Sequence, residues 1–159
     1  MTKYVDTILQ DDEQVIHHAS IHWIVYLPSV VCLVSAIALL IWLVPLYQAN
    51  GRDFVGMLGA VIALAALIAA PIYFFKALIQ RVATELAITN RRVIAKVGFI
   101  RRKTWEINAP KVEGVEVDQS IWGRIFGYGT VTVKGTGGGI APIRNIDAPV
   151  EFRKHVTSL

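Results

Sequence analysis

The sequence lacks most of the groups on which enzymes and metal proteins depend. Only one of its 159 residues is cysteine, so an intramolecular disulfide is excluded. That residue, Cys32, lies inside a long apolar run, and its solitary state agrees with a reducing compartment. We find no nucleophile paired with a base and no complete set of metal ligands. We therefore predict that the protein is not an enzyme and uses no metal or other cofactor.

Charged residues are nearly missing from two long stretches. Residues 23–46 contain none, and residues 54–79 contain only Lys76, close to the end of the stretch. Each stretch exceeds the roughly 20 apolar residues that a helix needs to cross a bilayer. We predict transmembrane helices at about 23–46 and 54–79, joined by a tight turn over 48–53 into an antiparallel hairpin. The lack of intramembrane Asp, Glu and Arg argues against a carrier or channel.

The distribution of basic residues orients this hairpin. The first 22 residues have one Lys against four acidic residues, and this acidic leader excludes a cleavable signal peptide. The loop between the helices offers only Arg52, whereas Lys76, Arg81, Arg91 and Arg92 lie around and beyond the end of the second helix. By the positive-inside rule, we expect both termini to be cytoplasmic.

Small residues recur along one side of the second helix. The stripe consists of Gly56, Gly59, Ala63, Ala66 and Ala70. Such stripes allow close helix packing, either inside the hairpin or between protomers of a homo-oligomer. These alternatives stay open on the sequence alone, as does the interpretation of alanine as apolar filler.

The leader before the first helix has two interpretations. Residues 15–21 alternate in the manner of a short strand. Read as a helix, the segment would place His18 and His22 on one face at a metal-ligand spacing, with His17 beside them. No nearby carboxylate or cysteine completes the four ligands that zinc prefers, so we predict no metal site here.

From residue 83 the pattern changes to that of β-strands. Alternating apolar segments are separated by glycine, proline and asparagine turns, and they lie at 84–89, 92–97, 99–108, 111–118, 130–134 and 139–146. Gly114 interrupts the alternation and indicates a bulge. A helix follows, with Asp147 as the expected N-cap and Phe152, Val156 and Leu159 on one face. We predict antiparallel strands and one C-terminal helix.

The densest structural signal is QSIWGRIFGYGTVTVKGTG at 119–137. An apolar helical face is followed by glycines that end the turn, and the motif comprises Ile121, Trp122, Ile125, Phe126, Gly127 and Gly129. We predict that this face plugs the interior of the soluble part. The alternative is that Trp122 and Phe126 face outward, toward the bilayer or a neighbouring subunit.

The segment after residue 80 is basic, with thirteen Lys and Arg against seven Asp and Glu. Two clusters lie on neighbouring predicted strands or their connections, and they consist of Arg91, Arg92, Arg101, Arg102 and Lys103. They would serve as a contact for anionic lipid headgroups or an acidic partner, or else as a solvated positive-inside face. Nucleic acid is not an expected partner, because no recognition helix or RNA-binding motif accompanies the charge.

The order of these features resembles a pleckstrin-homology-like (PH-like) barrel. Four segments carry a closer resemblance to bacterial membrane-anchored PH domain proteins, and in order they read DDEQVIHHASIHW before the hairpin, TNRRVIAKVGFIRR, INAPKVEGVEVDQSIWGRIFGYGTVTVKGTGG and IDAPVEFRKHV. The resemblance implies a bacterial or archaeal cytoplasmic membrane and no catalytic residues. It also implies that residues 13–21 form the first barrel strand, so that the hairpin is inserted between the first two strands.

We therefore expect three segments: a cytoplasmic leader over 1–22, a transmembrane hairpin over 23–79, and a cytoplasmic PH-like domain over 80–159. The expected function is that of a binding or scaffold protein of the bacterial inner membrane, engaging lipid headgroups or a protein partner. The alternative is a structural subunit of a larger membrane complex with a related PH-domain protein. An enzyme is the least supported class.

Overall fold

A computed structural model describes residues 5, 8–10, 12–50 and 54–158, with the side chains of 44–50 and 55 excepted. The chain divides into two compact units. One unit consists of residues 23–78, and the other consists of the described residues before 23 and from 79 onward. The centre of the predicted turn, including Arg52, and the predicted helix residue Leu159 lie outside the described residues.

The first unit is formed by two long apolar helices, and the last residues of the second helix, from 79 onward, belong to the other unit. A short 3-10 turn over Trp23–Tyr26 leads into α1 (Leu27–Asn50), and α2 (Phe54–Ala83) follows. Both helices are long and apolar enough to cross a membrane, over Trp23–Leu43 and Gly56–Ala83. The predicted pair of candidate spans is therefore confirmed by length and composition. The second helix is longer than predicted, because α2 continues to Ala83.

Small side chains form the contact between these helices. Among the described side chains of this unit, the buried positions recur every seven residues, namely Ser29, Ala36 and Leu43 on α1 and Ala63, Ala70 and Ala77 on α2. A Cβ atom added to Gly59 would lie 2.7 Å from Leu43 Cδ2, so the backbone of α2 lies directly against α1 at this point. A seven-residue repeat of small residues is the pattern of closely packed helix pairs. Gly59, Ala63 and Ala70 of the small-residue stripe thus pack inside the hairpin, whereas a Cβ at Gly56 would meet nothing within 4 Å.

The second unit is built from two antiparallel sheets and two short helices. Its described strands are β1 (Val15–Ala19), β2 (Glu85–Thr89), β3 (Arg92–Val97), β4 (Lys103–Asn108), β5 (Val112–Asp118), β6 (Tyr128–Gly135) and β7 (Gly138–Asp147). Its described helices are α3 (Ile121–Phe126) and α4 (Pro149–Thr157). The strand orders are β1-β2-β3-β4 and β5-β6-β7.

The predicted barrel is wrong in one respect: the described sheets do not close on each other. After β4 the chain makes a 3-10 turn over Ala109–Lys111, and Pro110 within it has no N–H to donate to a ladder. The next strand, β5, pairs with β6 instead of β4. A single bridge between Ile21 and Ile146 links the segment after β1 to β7. The architecture is therefore two separate antiparallel sheets, which also contact each other between β4 and β7.

The strand before the hairpin pairs with the strand after it, as the family resemblance implied. In the β1–β2 ladder His18 lies opposite Ala87, and Ala19 lies opposite Leu86. A register shift after Val15 marks a bulge at the far end of β1. The bulge predicted at Gly114 is present as a register shift between β5 and β6.

The inner strands of the four-stranded sheet, β2 and β3, are buried on both faces along most of their length. Val93 and Ile94 are consecutive in β3 and therefore point to opposite faces, yet both are fully buried. On one face Ile94 packs with Ala87 and with Val5 from the leader. Phe152 of α4 is fully buried as well, and α4 packs on β1, β5 and β6. The leader segment and α4 thus each contribute to an apolar layer of this unit.

Two boundaries differ from the sequence predictions. Residues 99–102 were expected to continue a strand, but they form the loop between β3 and β4 because Gly98 has a positive φ of 103° and folds the chain back on itself. Asp147 was expected to cap the last helix. It is the last residue of β7, and Ala148, with a φ of 45°, is the capping residue before Pro149.

The predicted plug of the interior is wrong, and the outward alternative holds for α3. Trp122 is 64% exposed, and the large side chains beside it are exposed as well. The residue that α3 buries is Gly123, whose N–H donates to Ser120 Oγ at 3.1 Å. Because Gly123 faces the body of the unit, the large apolar side chains point away from it. Gly127, with a φ of 78°, ends the helix, and buried Gly129 allows close approach of the Asp118 carbonyl.

The buried ring of Phe152 is expected to be a main source of stability for the second unit. We expect Phe152→Ala to lower the free energy of unfolding by about 3–5 kcal/mol, because it removes a fully buried aromatic side chain and leaves a cavity. Val150→Ala, on the exposed side of the same helix, should cost less than about 1 kcal/mol. Chemical unfolding of the full chain in detergent micelles measures both. Equal losses in the two variants would show that α4 does not pack as described.

Candidate functional site

The loop between β3 and β4 carries an exposed apolar tip. It spans residues 98–102, and Gly98 provides the positive φ from which the loop begins. Ile100 is 97% exposed, and Phe99 beside it is exposed as well. A fully exposed isoleucine next to an exposed phenylalanine is unusual on a surface that only water contacts. The tip is therefore a candidate contact for an apolar partner.

Basic residues follow the tip directly. Arg101, Arg102 and Lys103 are all exposed, and they occupy the end of the loop and the first position of β4. The segment thus presents two apolar side chains followed by three positive charges. We call Phe99–Lys103 the hairpin tip, because it is the tip of the β3–β4 hairpin; it is not part of the helical hairpin formed by α1 and α2. Such an arrangement is chemically suited to a surface that is apolar inside and negatively charged outside.

A cavity of about 660 Å³ lies beside the hairpin tip. Its walls come from the end of α2, from β1 and β2, and from the start of the tip. The charged and titratable side chains in its lining are His18, Arg81, Glu85, Lys96 and Arg102. Lys96 Nζ lies 3.0 Å from Glu85 Oε1, so this carboxylate is already paired. The lining therefore carries a net positive charge.

Arg92, one of the predicted contact residues, is paired with a buried carboxylate. Its Nε and Nη2 atoms lie 2.9 and 2.7 Å from the two carboxylate oxygens of Glu13, whose side chain is fully buried. Thr89 Oγ1 also donates to Glu13, at 2.7 Å. The Arg92 hydrogen bonds hold the pKa of Glu13 at about 2, against the opposing effect of burial. This pair joins the leader to β3 across the hairpin insertion.

The predicted basic residues do not form one patch. Arg92 lies opposite Asn108, and Lys103 lies opposite Val97, so the two clusters occupy opposite ends of the β3–β4 ladder. At about 3.3 Å per residue, a strand of this length separates them by roughly 16 Å. Arg91 Nη2 is 3.9 Å from Asp12 at the end away from the tip. Only the second cluster, Arg101 to Lys103, therefore belongs to the hairpin tip.

The histidines of the leader have separate surroundings. The His17 ring stacks on His155 of α4 with centroids 4.5 Å apart, and burial together with the nearby His155 lowers the His17 pKa. His22 stacks on Tyr128 with centroids 5.4 Å apart. In the part of the chain that the structure describes, no group of three or more His, Cys, Asp or Glu is arranged to hold a metal ion.

These features define a class of protein: a pair of candidate membrane helices inserted between the first two strands of a two-sheet domain with a C-terminal helix. The chain belongs to the bacterial PH domain family, whose model matches residues 20–159. The resemblance drawn from the sequence motifs is thereby confirmed at the level of the family. No curated protein and no solved structure matches the chain. Domains of this family are generally non-catalytic.

The three basic residues of the tip were predicted from the sequence as contact residues, but its two apolar residues were not. Phe99 and Ile100 were assigned to a strand, where an apolar pair is ordinary. The signal that could have separated them is Gly98, because a glycine between two alternating runs favours a hairpin loop. The Glu13–Arg92 pair had no sequence signal, since the two residues are separated by the whole hairpin.

The Glu13–Arg92 pair generates a prediction about stability and pH. We expect Glu13→Gln to lower the free energy of unfolding at neutral pH by about 3 kcal/mol, because the partly buried Arg92 loses its charged partner. Glu106→Gln removes the more exposed partner of the same arginine and should cost less than about 1 kcal/mol.

The acid limb of the stability profile, that is, the loss of unfolding free energy as the pH falls, should differ between these variants. Unfolded Glu13 takes up a proton near its ordinary pKa of 4.5, whereas folded Glu13 does so only near 2. Between these values the unfolded state binds more protons, so the wild-type protein loses stability as pH falls from about 4.5 toward 2. Glu13→Gln should lack this step, and Glu106→Gln should keep it. Unfolding titrations at several pH values measure the difference, and an unchanged acid limb in Glu13→Gln would contradict the described pair.

Proposed function

We propose that this protein is a membrane-anchored binding protein of the bacterial cytoplasmic membrane. Its second compact unit, which we call the PH-like unit, engages anionic lipid headgroups through the hairpin tip. The observation that carries the proposal is the sequence of side chains at the tip. A nearly fully exposed Ile100 and an exposed Phe99 are followed by three exposed basic residues. Apolar side chains suit the acyl region of a bilayer, and the basic ones suit its negatively charged surface.

The energies of such a contact are sufficient to hold the tip at a membrane. Full burial of a large apolar side chain contributes roughly 1.5–3 kcal/mol. Each basic residue near an anionic surface adds about 1 kcal/mol. Because the proposed membrane anchor and the tip belong to one chain, the contact does not need to provide affinity for capture from solution. Its role is to fix the orientation of the PH-like unit and to make that orientation depend on lipid charge.

The cavity beside the tip is suited to the phosphate of a headgroup. Arg102 is shared between the tip and the cavity, and Arg81 lies in the last turn of α2, the second candidate span. Guanidinium groups bind phosphate oxygens through two parallel hydrogen bonds, which gives them geometric preference over a simple point charge. The position of Arg81 at the end of a span supports a phosphate that belongs to the bilayer.

The same distribution of charge supports the proposed topology. Basic residues are concentrated after the second span, so we propose that both termini and the PH-like unit are cytoplasmic. Association with a second copy or with a related PH-domain membrane protein is a separate proposal, in which the chain would be a subunit of a larger complex. Its measure is the mass of the particle purified in mild detergent.

The proposal is tested on the full chain, because a fragment beginning at Arg81 would lack β1. An environment-sensitive fluorophore is attached at Ile100→Cys in a Cys32→Ala background, and the protein is reconstituted in vesicles with and without phosphatidylglycerol. We expect a blue-shifted emission with the anionic lipid and a smaller shift at high salt, because screening weakens contacts between exposed charges.

Matched variants assign the effect to the tip. Replacing Arg101, Arg102 and Lys103 with Gln should abolish the dependence on anionic lipid. Replacing three exposed basic residues elsewhere in the PH-like unit, Lys111, Arg153 and Lys154, should leave it in place. An emission that stays at its aqueous value in both vesicle types would refute the proposal, as would equal effects of the two triple variants. A shift that requires a co-purifying protein would favour a protein partner instead.

A further inference from the structure

A second exposed apolar surface lies on α3. The helix has six residues, and Ile121, Trp122 and Ile125 are 76%, 64% and 66% exposed. The Trp122 and Phe126 rings stack with centroids 6.1 Å apart, so they form one continuous surface. We call these four side chains the α3 face. The helix itself is well fixed, because Ser120 caps its start and Gly127 ends it in the left-handed conformation.

The α3 face lies close to the residue at which the chain leaves the PH-like unit. Tyr128 directly follows the glycine that ends α3, and its ring stacks on His22. The His22 N–H donates to the Asn145 carbonyl at 2.7 Å, and the Asp147 N–H donates to the Ser20 carbonyl at 2.9 Å. The end of the leader is therefore bound to the same corner of the unit as α3.

The next residue in the chain is Trp23, the first residue of the first candidate span. A membrane that holds this span therefore holds His22 close to its surface through one peptide bond. Tyr128 and the end of α3 are held there in turn by the His22–Tyr128 stack and the backbone hydrogen bonds around it. The lipid surface is thus the apolar phase that the chain itself brings near the α3 face.

We propose that the α3 face inserts into the interfacial layer of the bilayer that holds the hairpin. The inference rests on the proposed membrane location of the PH-like unit and assigns a second contact to it. The chemistry of the face fits this layer, because tryptophan is favoured at the boundary between headgroups and acyl chains. Arg124 lies within the same helix and is exposed, so it supplies the charge that such interfacial helices place toward the headgroups.

The hairpin tip and the α3 face are each connected with one of the two points at which the helical hairpin joins the PH-like unit. The hairpin tip lies beside the end of α2, where the chain returns from the hairpin, and shares a cavity wall with Arg81. Tyr128, two residues after the α3 face, stacks on His22, where the chain departs. With a contact at each point, the unit would be held on the bilayer at two places, which fixes its tilt as well as its distance.

Spin-label accessibility in vesicles tests the inference directly. A nitroxide is attached at Ile125→Cys in the full-length Cys32→Ala chain, with Glu113→Cys as the control at the opposite, exposed end of β5. Collision with molecular oxygen reports the apolar phase, and collision with a water-soluble nickel chelate reports the aqueous phase. We expect the ratio of oxygen to nickel collisions to be several-fold higher at residue 125 than at residue 113.

Every other outcome overturns the inference. A ratio at residue 125 equal to that at residue 113 means that the α3 face is in water. Low collision rates with both reagents mean that a protein surface covers it, either a second copy or another chain. A label at Ile100→Cys, measured in the same way, separates this result from the proposed function. If residue 100 is in the apolar phase and residue 125 is not, only the second contact is wrong.

Discussion

The pairing of β1 with β2 is the constraint on which the rest of the structure depends. The two strands are separated in sequence by the entire hairpin, yet Ala19 lies opposite Leu86 in one antiparallel ladder. The ends of these strands that are nearest the hairpin in sequence are therefore neighbours, and the chain leaves and re-enters the PH-like unit at adjacent points. The hairpin must therefore end on the same side on which it began. Two consecutive helices of membrane-spanning length satisfy this requirement.

The buried ion pair of Glu13 and Arg92 reinforces the same connection. An unpaired charge in such a place is costly, whereas a paired one with further hydrogen bonds is tolerated. Glu13 receives hydrogen bonds from Arg92 and Thr89, and Val5 of the leader packs on Ala87 and Ile94. The leader is thus part of the folded unit in its strand, its ion pair and its apolar contacts. Arg92, which the sequence suggests as a ligand contact, forms an ion pair inside the folded unit.

The exposed apolar surfaces of the PH-like unit have a consistent character. The hairpin tip and the α3 face are both apolar, both include or adjoin basic residues, and each lies next to one of the two points at which the hairpin is attached. The core does not need these side chains, because buried aliphatic residues and Phe152 already fill it. Large exposed apolar side chains on a well-packed unit are a sign of interaction, and we propose the bilayer as the partner because candidate spans are attached to the same unit.

The sequence by itself determined the elements and their family. Uncharged runs, alternating strands, the α3 motif and the basic bias after residue 80 are local patterns, and each acts through its own neighbours in the chain. The tertiary structure decided which of these residues are available. The α3 face was expected inside and lies outside, because helical spacing shows that four residues share a side but not which way that side points. Arg92 was expected at a surface and is held by Glu13, a residue brought to it only by the fold. The loop at Phe99 and Ile100 and the separation of the two sheets depend on Gly98 and Pro110, where a single backbone angle or a missing N–H redirects the chain.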